Sequence, residues 1–171
     1  MASAVFRPLR RRGELVGYER ARDEGVQACG FEREVLSGMK RVVVDTNVLV
    51  GSAYNPRSAS RRIVHACLEG QLKLIVSPAI RGEYRQILPR AVRNRREAER
   101  LDTLIAEAAI VEPAEQPRVV REDPEDDKFV AAAVAGNADC IITNDEHLLA
   151  LGSWAGVPIM RPSEFMEQQE G

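Results

Sequence analysis

Two carboxylates stand at the ends of apolar stretches, where a charge is costly. Asp45 ends the run RVVVD at residues 41–45, and Asp145 ends CIITND at residues 140–145. Each run is short, apolar and rich in β-branched residues, which predicts a buried strand. Because a buried charge must be paired or bind a metal, the two acids are candidates for a functional site.

The elements around these acids alternate between strand and helix. Further strands are predicted at LKLIVS (72–77), RVV (118–120) and VPIM (157–160). Helices are predicted over 57–69, from Pro78 to about Leu88 with Ser77 as the cap and Pro89 as the stop, over 94–109, from Asp123 to a closure at Gly136 and Asn137, and over 162–168. This order predicts an α/β fold with a parallel sheet. Ligands bind beyond the carboxyl ends of such strands, so Asp45 and Asp145 are expected at one edge.

The acidic run REDPEDDKF contains carboxylates with and without a structural explanation. Asp123 before Pro124 fits a helix N-cap, and Asp126 falls in the capping-box position. Asp127 is different, because it shares a helical face with apolar residues that should pack on the sheet. The helix dipole favours an acid there by only about 0.3–1 kcal/mol. Glu83 similarly lies on an apolar face of its helix.

The composition indicates a soluble globular domain of 171 residues, with 44% hydrophobic and 29% charged residues. A net charge of −2 gives no general attraction to nucleic acid or acidic membranes. No apolar run reaches the length of about 18 residues that a membrane span needs. Cys29, Cys67 and Cys140 form no C-x-x-C pair, which favours a reducing cytoplasmic compartment. With only His65 and His147 present, any metal site must consist mainly of carboxylates.

Residues 1–38 differ from the remainder of the chain. They are rich in Arg, Glu and Gly and lack a sustained apolar period. A transit peptide, a flexible extension, and a natural start of translation at Met39 all fit this composition. We therefore treat the segment as an N-terminal extension that is either flexible or not natively translated.

From Lys40 onward the sequence resembles the PIN domain, and within it the bacterial VapC-like toxins of toxin–antitoxin systems. The motifs are VVVDTNVLVG, SPAIRGEY, DPEDDKFVAAAVAGNADCIITNDEHLL and VPIMRPSEFM, all within residues 40–166. The resemblance implies that residues 39–171 form a PIN domain, a three-layer α/β sandwich with a central parallel sheet flanked by helices. It also implies a metal-dependent endoribonuclease.

The resemblance implies a site of four carboxylates that bind metal and act in catalysis: Asp45, Glu83, Asp127 and Asp145. Asn47 and Thr143 match the small polar positions beside these acids and would orient a carboxylate or a metal-bound water. Asp123 and Asp126 also match acids of this group but rank below Asp127. Without metal these carboxylates would repel and at least one would hold a proton, and hard oxygen ligands select Mg²⁺ or Mn²⁺.

The implied reaction is hydrolysis of an RNA phosphodiester by metal-activated water, which leaves a 3′-hydroxyl and a 5′-phosphate. The implied partners are an RNA substrate, a small antitoxin protein and a second copy of the chain in a homodimer. The implied setting is the cytoplasm, with no membrane contact.

The helical region at residues 81–100 contains seven arginines. One interpretation is a clamp for the RNA backbone beside the acidic site, and the other is a solvated helical face in a chain where lysine is scarce. The arginines assigned to such a clamp are Arg81, Arg85, Arg93, Arg95 and Arg96.

Two other classes of protein also place an acid after a first strand. A haloacid-dehalogenase-like phosphatase needs a second aspartate where this chain has Asn47, and a downstream catalytic lysine that the few lysines do not suit. A catalytically silent PIN-like module would bind RNA or protein without cutting, and the intact set of four acids disfavours it. We expect His147 to be a surface residue at a helix start.

Overall fold

The computed structural model of the chain describes residues 38–120 and 123–170. The predicted N-terminal extension lies outside these ranges except for Gly38. The strands are β1 (Lys40–Val44), β2 (Leu72–Val76), β3 (Ala109–Ile110), β4 (Cys140–Ile142), β5 (Ser153–Trp154) and β6 (Val157–Met160). The helices are α1 (Thr46–Tyr54), α2 (Ala59–Leu68), α3 (Pro78–Ala91), α4 (Arg95–Glu107), α5 (Asp127–Ala135), α6 (Glu146–Ala150) and α7 (Pro162–Glu170). A short 3-10 helix, Pro124–Asp126, precedes α5.

The strands form one sheet in the order β3-β2-β1-β4-β6-β5. All neighbours are parallel except β5 and β6, which are antiparallel. The predicted α/β fold with a parallel sheet flanked by helices is therefore confirmed. Val44 pairs with Ile142, so β1 and β4 end side by side at the carboxyl edge. The residues that follow these strands must emerge next to each other.

Helix α5 packs against β1, β2 and β4 and is apolar on nearly its whole circumference. Its alanines allow a close approach to the sheet. The turn after it is equally tight, because a Cβ on Gly136 would lie 2.5 Å from Ile75 Cγ2. Asn137 follows with a positive φ of 46°, and the predicted helix end at Gly136 and Asn137 is confirmed.

The sequence predicted no helix directly after the first strand, and this was wrong. Asp45 ends the strand and caps α1, since Asn47 N–H donates to Asp45 Oδ1 at 3.2 Å. Helix α1 contains Val48, Leu49 and Ser52 among its buried residues and shows no clear polar stripe. An apolar segment without that stripe lacks the period by which a helix is recognised.

The predicted end of the second helix and the predicted strand at 118–120 were also wrong. Helix α3 continues through Pro89 to Ala91, because buried Leu88 and Val92 anchor its last turn and Val92 N–H donates to Leu88 O at 2.8 Å. Proline removes one helical hydrogen bond but does not remove this packing. The segment RVV at 118–120 is not a strand. Its backbone N–H groups donate to a side chain instead of to the sheet.

None of the helices in the described part of the chain has the length and apolar character needed to cross a bilayer.

Candidate acidic site at the carboxyl edge of the sheet

Asp45 lies at the centre of the carboxyl edge and is 4% exposed. Its backbone N–H donates to Ile142 O at 2.9 Å, which extends the pairing between β1 and β4 by one residue. Thr143 Oγ1 donates to Asp45 Oδ2 at 2.7 Å. Burial raises the pKa of the Asp45 carboxyl, the bonds from Thr143 and Asn47 oppose this, and the charges of Glu83 and Asp145 add to the increase.

Thr143 joins two of the predicted acids. This fully buried residue follows β4, and its hydroxyl oxygen also accepts from Asp145 N–H at 2.9 Å. Asp145 in turn caps α6, because its Oδ1 accepts from His147 N–H at 2.8 Å and Leu148 N–H at 3.3 Å. The sequence assigned Thr143 a role in orienting a carboxylate, and the contact with Asp45 is of that kind. His147 is exposed at the start of α6, as predicted.

Glu83 reaches the same region from α3. Thr46 Oγ1 donates to Glu83 Oε1, and Lys128 Nζ forms an ion pair with Glu83 Oε2 at 2.6 Å. Sequence reasoning missed both partners. Thr46 directly follows Asp45 and is the first residue of α1, a helix that the sequence did not predict. Asn47, which the sequence assigned to the neighbourhood of the acids, has an exposed side chain and contributes its backbone N–H to Asp45.

Asp127 is buried, and one oxygen of its carboxylate accepts hydrogen bonds from the backbone. Its Oδ1 accepts from Val119 N–H at 3.0 Å and from Val120 N–H at 2.9 Å. Through this oxygen the side chain tethers the segment before the 3-10 helix.

Asp126, which ranked below Asp127 in the sequence, is the residue that interacts with the other acids. Its carboxyl makes no capping hydrogen bond. Burial, followed by the charges of Asp123, Asp45 and Asp145, raises the pKa of Asp126 to about 7, and the charge of Lys128 opposes this increase. Asp123 caps the 3-10 helix through Glu125 N–H at 3.1 Å, as predicted. The structure thus brings Asp45, Glu83 and Asp145 together and adds Asp126 to them.

The donor set suits a hard divalent cation, because it consists of carboxylate oxygens. The raised pKa of Asp126 has burial as its main cause, and the charges of the neighbouring acids add to it. In the ranges that the structure describes, no three His, Cys, Asp or Glu side chains are close enough together to hold an ion as they stand. The chemistry of the residues fits Mg²⁺ or Mn²⁺, but the carboxylates would have to draw closer to hold such an ion.

The metal-free protein is expected to lose stability as pH rises from about 4 to about 7. Asp126 has an ordinary pKa of about 3.9 in the unfolded chain and about 7 in the fold, so the folded state holds this proton more tightly. The stabilising effect is complete below the lower value, is lost progressively up to the higher one, and is then constant. Urea unfolding midpoints between pH 5 and 8 with a chelator measure this loss.

The variant Asp126→Asn should remove that part of the pH dependence. Asp102 is an exposed acid on α4, so Asp102→Asn is the matched control and should behave as the wild type. An Asp126→Asn variant with the full wild-type pH dependence would contradict the assignment of this proton.

The predicted arginine clamp has a mixed environment. Arg85, Arg93, Arg95 and Arg96 are exposed. Arg95 Nε is 2.8 Å from Glu99 Oε1, in an ion pair whose members are 92% and 63% exposed. Arg81 is half-buried, and its Nε has no hydrogen-bond partner among the described residues. A pair as exposed as Arg95 with Glu99 is weak, so it leaves most of the positive charge available.

The sequence profile of the PIN domain matches residues 41–147, which is more than half of the chain. The chain belongs to the PIN domain family. Among solved structures it is similar to a chain of VapBC2 from Rickettsia felis, in a crystal structure in which VapBC2 is bound to a DNA fragment from their promoter. The TM-score is 0.50 at 12% identity, and the match covers 71% of this chain and 98% of that chain. At this identity the likeness shows the fold. No similar sequence was found among the curated proteins.

The fold and the family together confirm the PIN resemblance drawn from the motifs. The acids that the resemblance nominated, Asp45, Glu83, Asp127 and Asp145, all fall within the matched residues.

Proposed function

We propose that this chain is a metal-dependent endoribonuclease that hydrolyses RNA phosphodiester bonds. One observation carries the proposal: the charges of carboxylates from three separate elements interact with one another at the carboxyl edge of the sheet. Asp45 follows β1, Asp145 follows β4, and Asp126 ends the 3-10 helix. Such an edge is where ligands bind in open α/β sheets, and three converging acids are costly to a fold unless a cation joins them.

Asp45, Asp126 and Asp145 would hold Mg²⁺ or Mn²⁺, which when bound would polarise the scissile phosphate and lower the pKa of a water. The chain supplies the geometry. Thr143 fixes Asp45 Oδ2, and Asp145 is oriented by two N–H groups at the start of α6. These hydrogen bonds orient Asp45 and Asp145, and the acids would still have to draw closer when the ion binds.

The products should carry a 5′-phosphate and a 3′-hydroxyl, because the attacking group is water. A 2′,3′-cyclic phosphate would contradict this mechanism, since that product requires attack by the 2′-hydroxyl of the RNA itself.

The arginine surface is expected to bind the RNA backbone. Replacing Arg93, Arg95 and Arg96 together by alanine should weaken RNA binding and reduce the slope of log K against log salt by about 2, because each phosphate contact with a single strand contributes about 0.7. Fluorescence anisotropy at several salt concentrations measures both. Glu99→Gln keeps every arginine and removes one competing carboxylate, so it should bind at least as tightly as the wild type. An unchanged slope in the triple variant would reject the clamp.

We further propose that the chain is the toxin of a toxin–antitoxin pair, that it forms a homodimer and that a small antitoxin protein restrains it. Membership in the PIN domain family and the similarity in fold to a chain of VapBC2 support this assignment. Light scattering should give a mass of twice 19.0 kDa for the dimer. A monomer at all concentrations would contradict this part of the proposal.

The activity is tested by incubating RNA with the purified protein in Mn²⁺ or Mg²⁺ and in chelator. Cleavage should need the metal and should be lost in Asp45→Asn but kept in Asp102→Asn. If the folded wild type leaves RNA intact with metal present, a catalytically silent PIN module that binds RNA or protein becomes the better description.

A further inference from the structure

Lys128 is a buried cation beside the acidic site. Only 8% of the residue is exposed, although lysine is almost never buried without a partner. Its Nζ lies 2.6 Å from Glu83 Oε2 and donates to Glu125 O at 2.7 Å. The ammonium also lies 5.0 Å from the centre of the Phe129 ring. These contacts hold its charge in one place.

Both oxygens of Glu83 are consequently engaged. Oε2 is in the ion pair with Lys128, and Oε1 accepts the hydroxyl of Thr46. A divalent cation on Glu83 would have to displace the ammonium or lie next to it, and the two positive charges would repel. Glu83 is thus the one acid of the site that forms an ion pair within the described residues.

The other three acids of the site form no ion pair with any residue that the structure describes. Within the described ranges, none of the ion pairs includes Asp45, Asp126 or Asp145. Lys128 therefore forms its ion pair with Glu83, while its charge acts on the Asp126 carboxyl without such a contact.

We propose that Lys128 is a built-in cation that withdraws Glu83 from metal binding and limits the site to one divalent ion, held by Asp45, Asp126 and Asp145. This inference rests on the proposed function and assigns to Lys128 a positioning role toward Glu83. In the sequence DDK, the proposed metal ligand Asp126 is followed by the tether Asp127 and then by Lys128, which restricts the number of ions in the site.

The place of the ammonium is accessible from outside. Glu83 and Lys128 contribute to an open groove of about 630 Å³, together with Gly82, Gln86 and Glu125. If the ammonium were removed, an ion from solvent would reach Glu83 through this groove. Lys128→Met removes the charge and keeps an unbranched chain of similar length that suits the buried stem.

The test is the number of Mn²⁺ ions bound per chain, measured by equilibrium dialysis and by the electron paramagnetic resonance signal of the free ion. The wild type should bind one ion and Lys128→Met two. Lys73→Met is the matched control, because Lys73 lies on β2 and donates to Glu107 O, and it should bind one ion. Glu83→Gln in the wild-type background should leave the Mn²⁺ affinity within about threefold.

Each contrary result has its own meaning. Two ions in the wild type, or one ion in a folded Lys128→Met, would overturn the role of Lys128 and leave the nuclease proposal standing. A loss of Mn²⁺ affinity of more than tenfold in Glu83→Gln would also overturn it, and this arm does not depend on the folding of Lys128→Met. No bound ion in the wild type would overturn the inference together with the metal dependence of the proposed function.

Discussion

Asp126→Asn is expected to lower the rate of RNA cleavage by roughly 10²–10³-fold while leaving the protein folded. The structure places this carboxyl in the electrostatic field of Asp45 and Asp145, where it would help to hold the metal. Loss of one carboxylate ligand weakens a source of several kcal/mol of transition-state stabilisation, and about 1.4 kcal/mol corresponds to a factor of ten in rate. Initial rates at saturating Mn²⁺, together with circular dichroism, measure the effect.

The matched comparison for that variant is the neighbouring position. Asp127→Asn keeps an oxygen that can accept from Val119 and Val120, so it should retain much more activity than Asp126→Asn. The opposite result, with Asp127→Asn inactive and Asp126→Asn active, would show that Asp127 is the fourth acid of the site, as the motif predicts.

Asp127→Ala is expected to reduce the free energy of unfolding by roughly 2–5 kcal/mol. The substitution removes the acceptor for two backbone N–H groups, one of them buried, and each unsatisfied donor costs about 1–3 kcal/mol. Urea denaturation gives the value directly. Asp102→Ala, on the exposed face of α4, is the control and should change stability by less than about 0.5 kcal/mol. A similarly small change in Asp127→Ala would show that the tether contributes nothing.

The position of two acids at the carboxyl edge of the sheet was predictable, because it follows from local patterns in the sequence. Apolar β-branched runs marked β1 and β4, and the parallel order of the strands required Asp45 and Asp145 to emerge at one edge. Thr143, two residues before Asp145, was placed by the motif and does contact Asp45.

The different surroundings of Asp126 and Asp127 were not predictable in the same way. The sequence was interpreted as one α-helix beginning after Asp123, with a fixed angle of about 100° between successive side chains. The structure instead forms the 3-10 helix Pro124–Asp126 first, which is wound more tightly and rotates the following side chains. The tighter first turn changes the angular positions of both acids relative to one continuous α-helix.

Contacts between segments that are distant in the chain were not predicted from the sequence either. Lys128 meets Glu83 across 45 positions of the chain, and no local pattern marks that ion pair. Arg61 similarly meets Glu97, an ion pair that joins α2 to α4. An arginine can therefore be engaged within the fold, and only the tertiary structure distinguishes such a residue from one that is free to bind RNA.

The measurement that tests the central claim most directly is sequencing of the 5′ ends produced from total RNA by the purified protein. It requires the wild type with Mn²⁺, the wild type with chelator, and Asp45→Asn with Mn²⁺. We expect discrete new 5′-phosphate ends in the first reaction alone. New ends that persist in chelator or in Asp45→Asn would contradict hydrolysis at this acidic site.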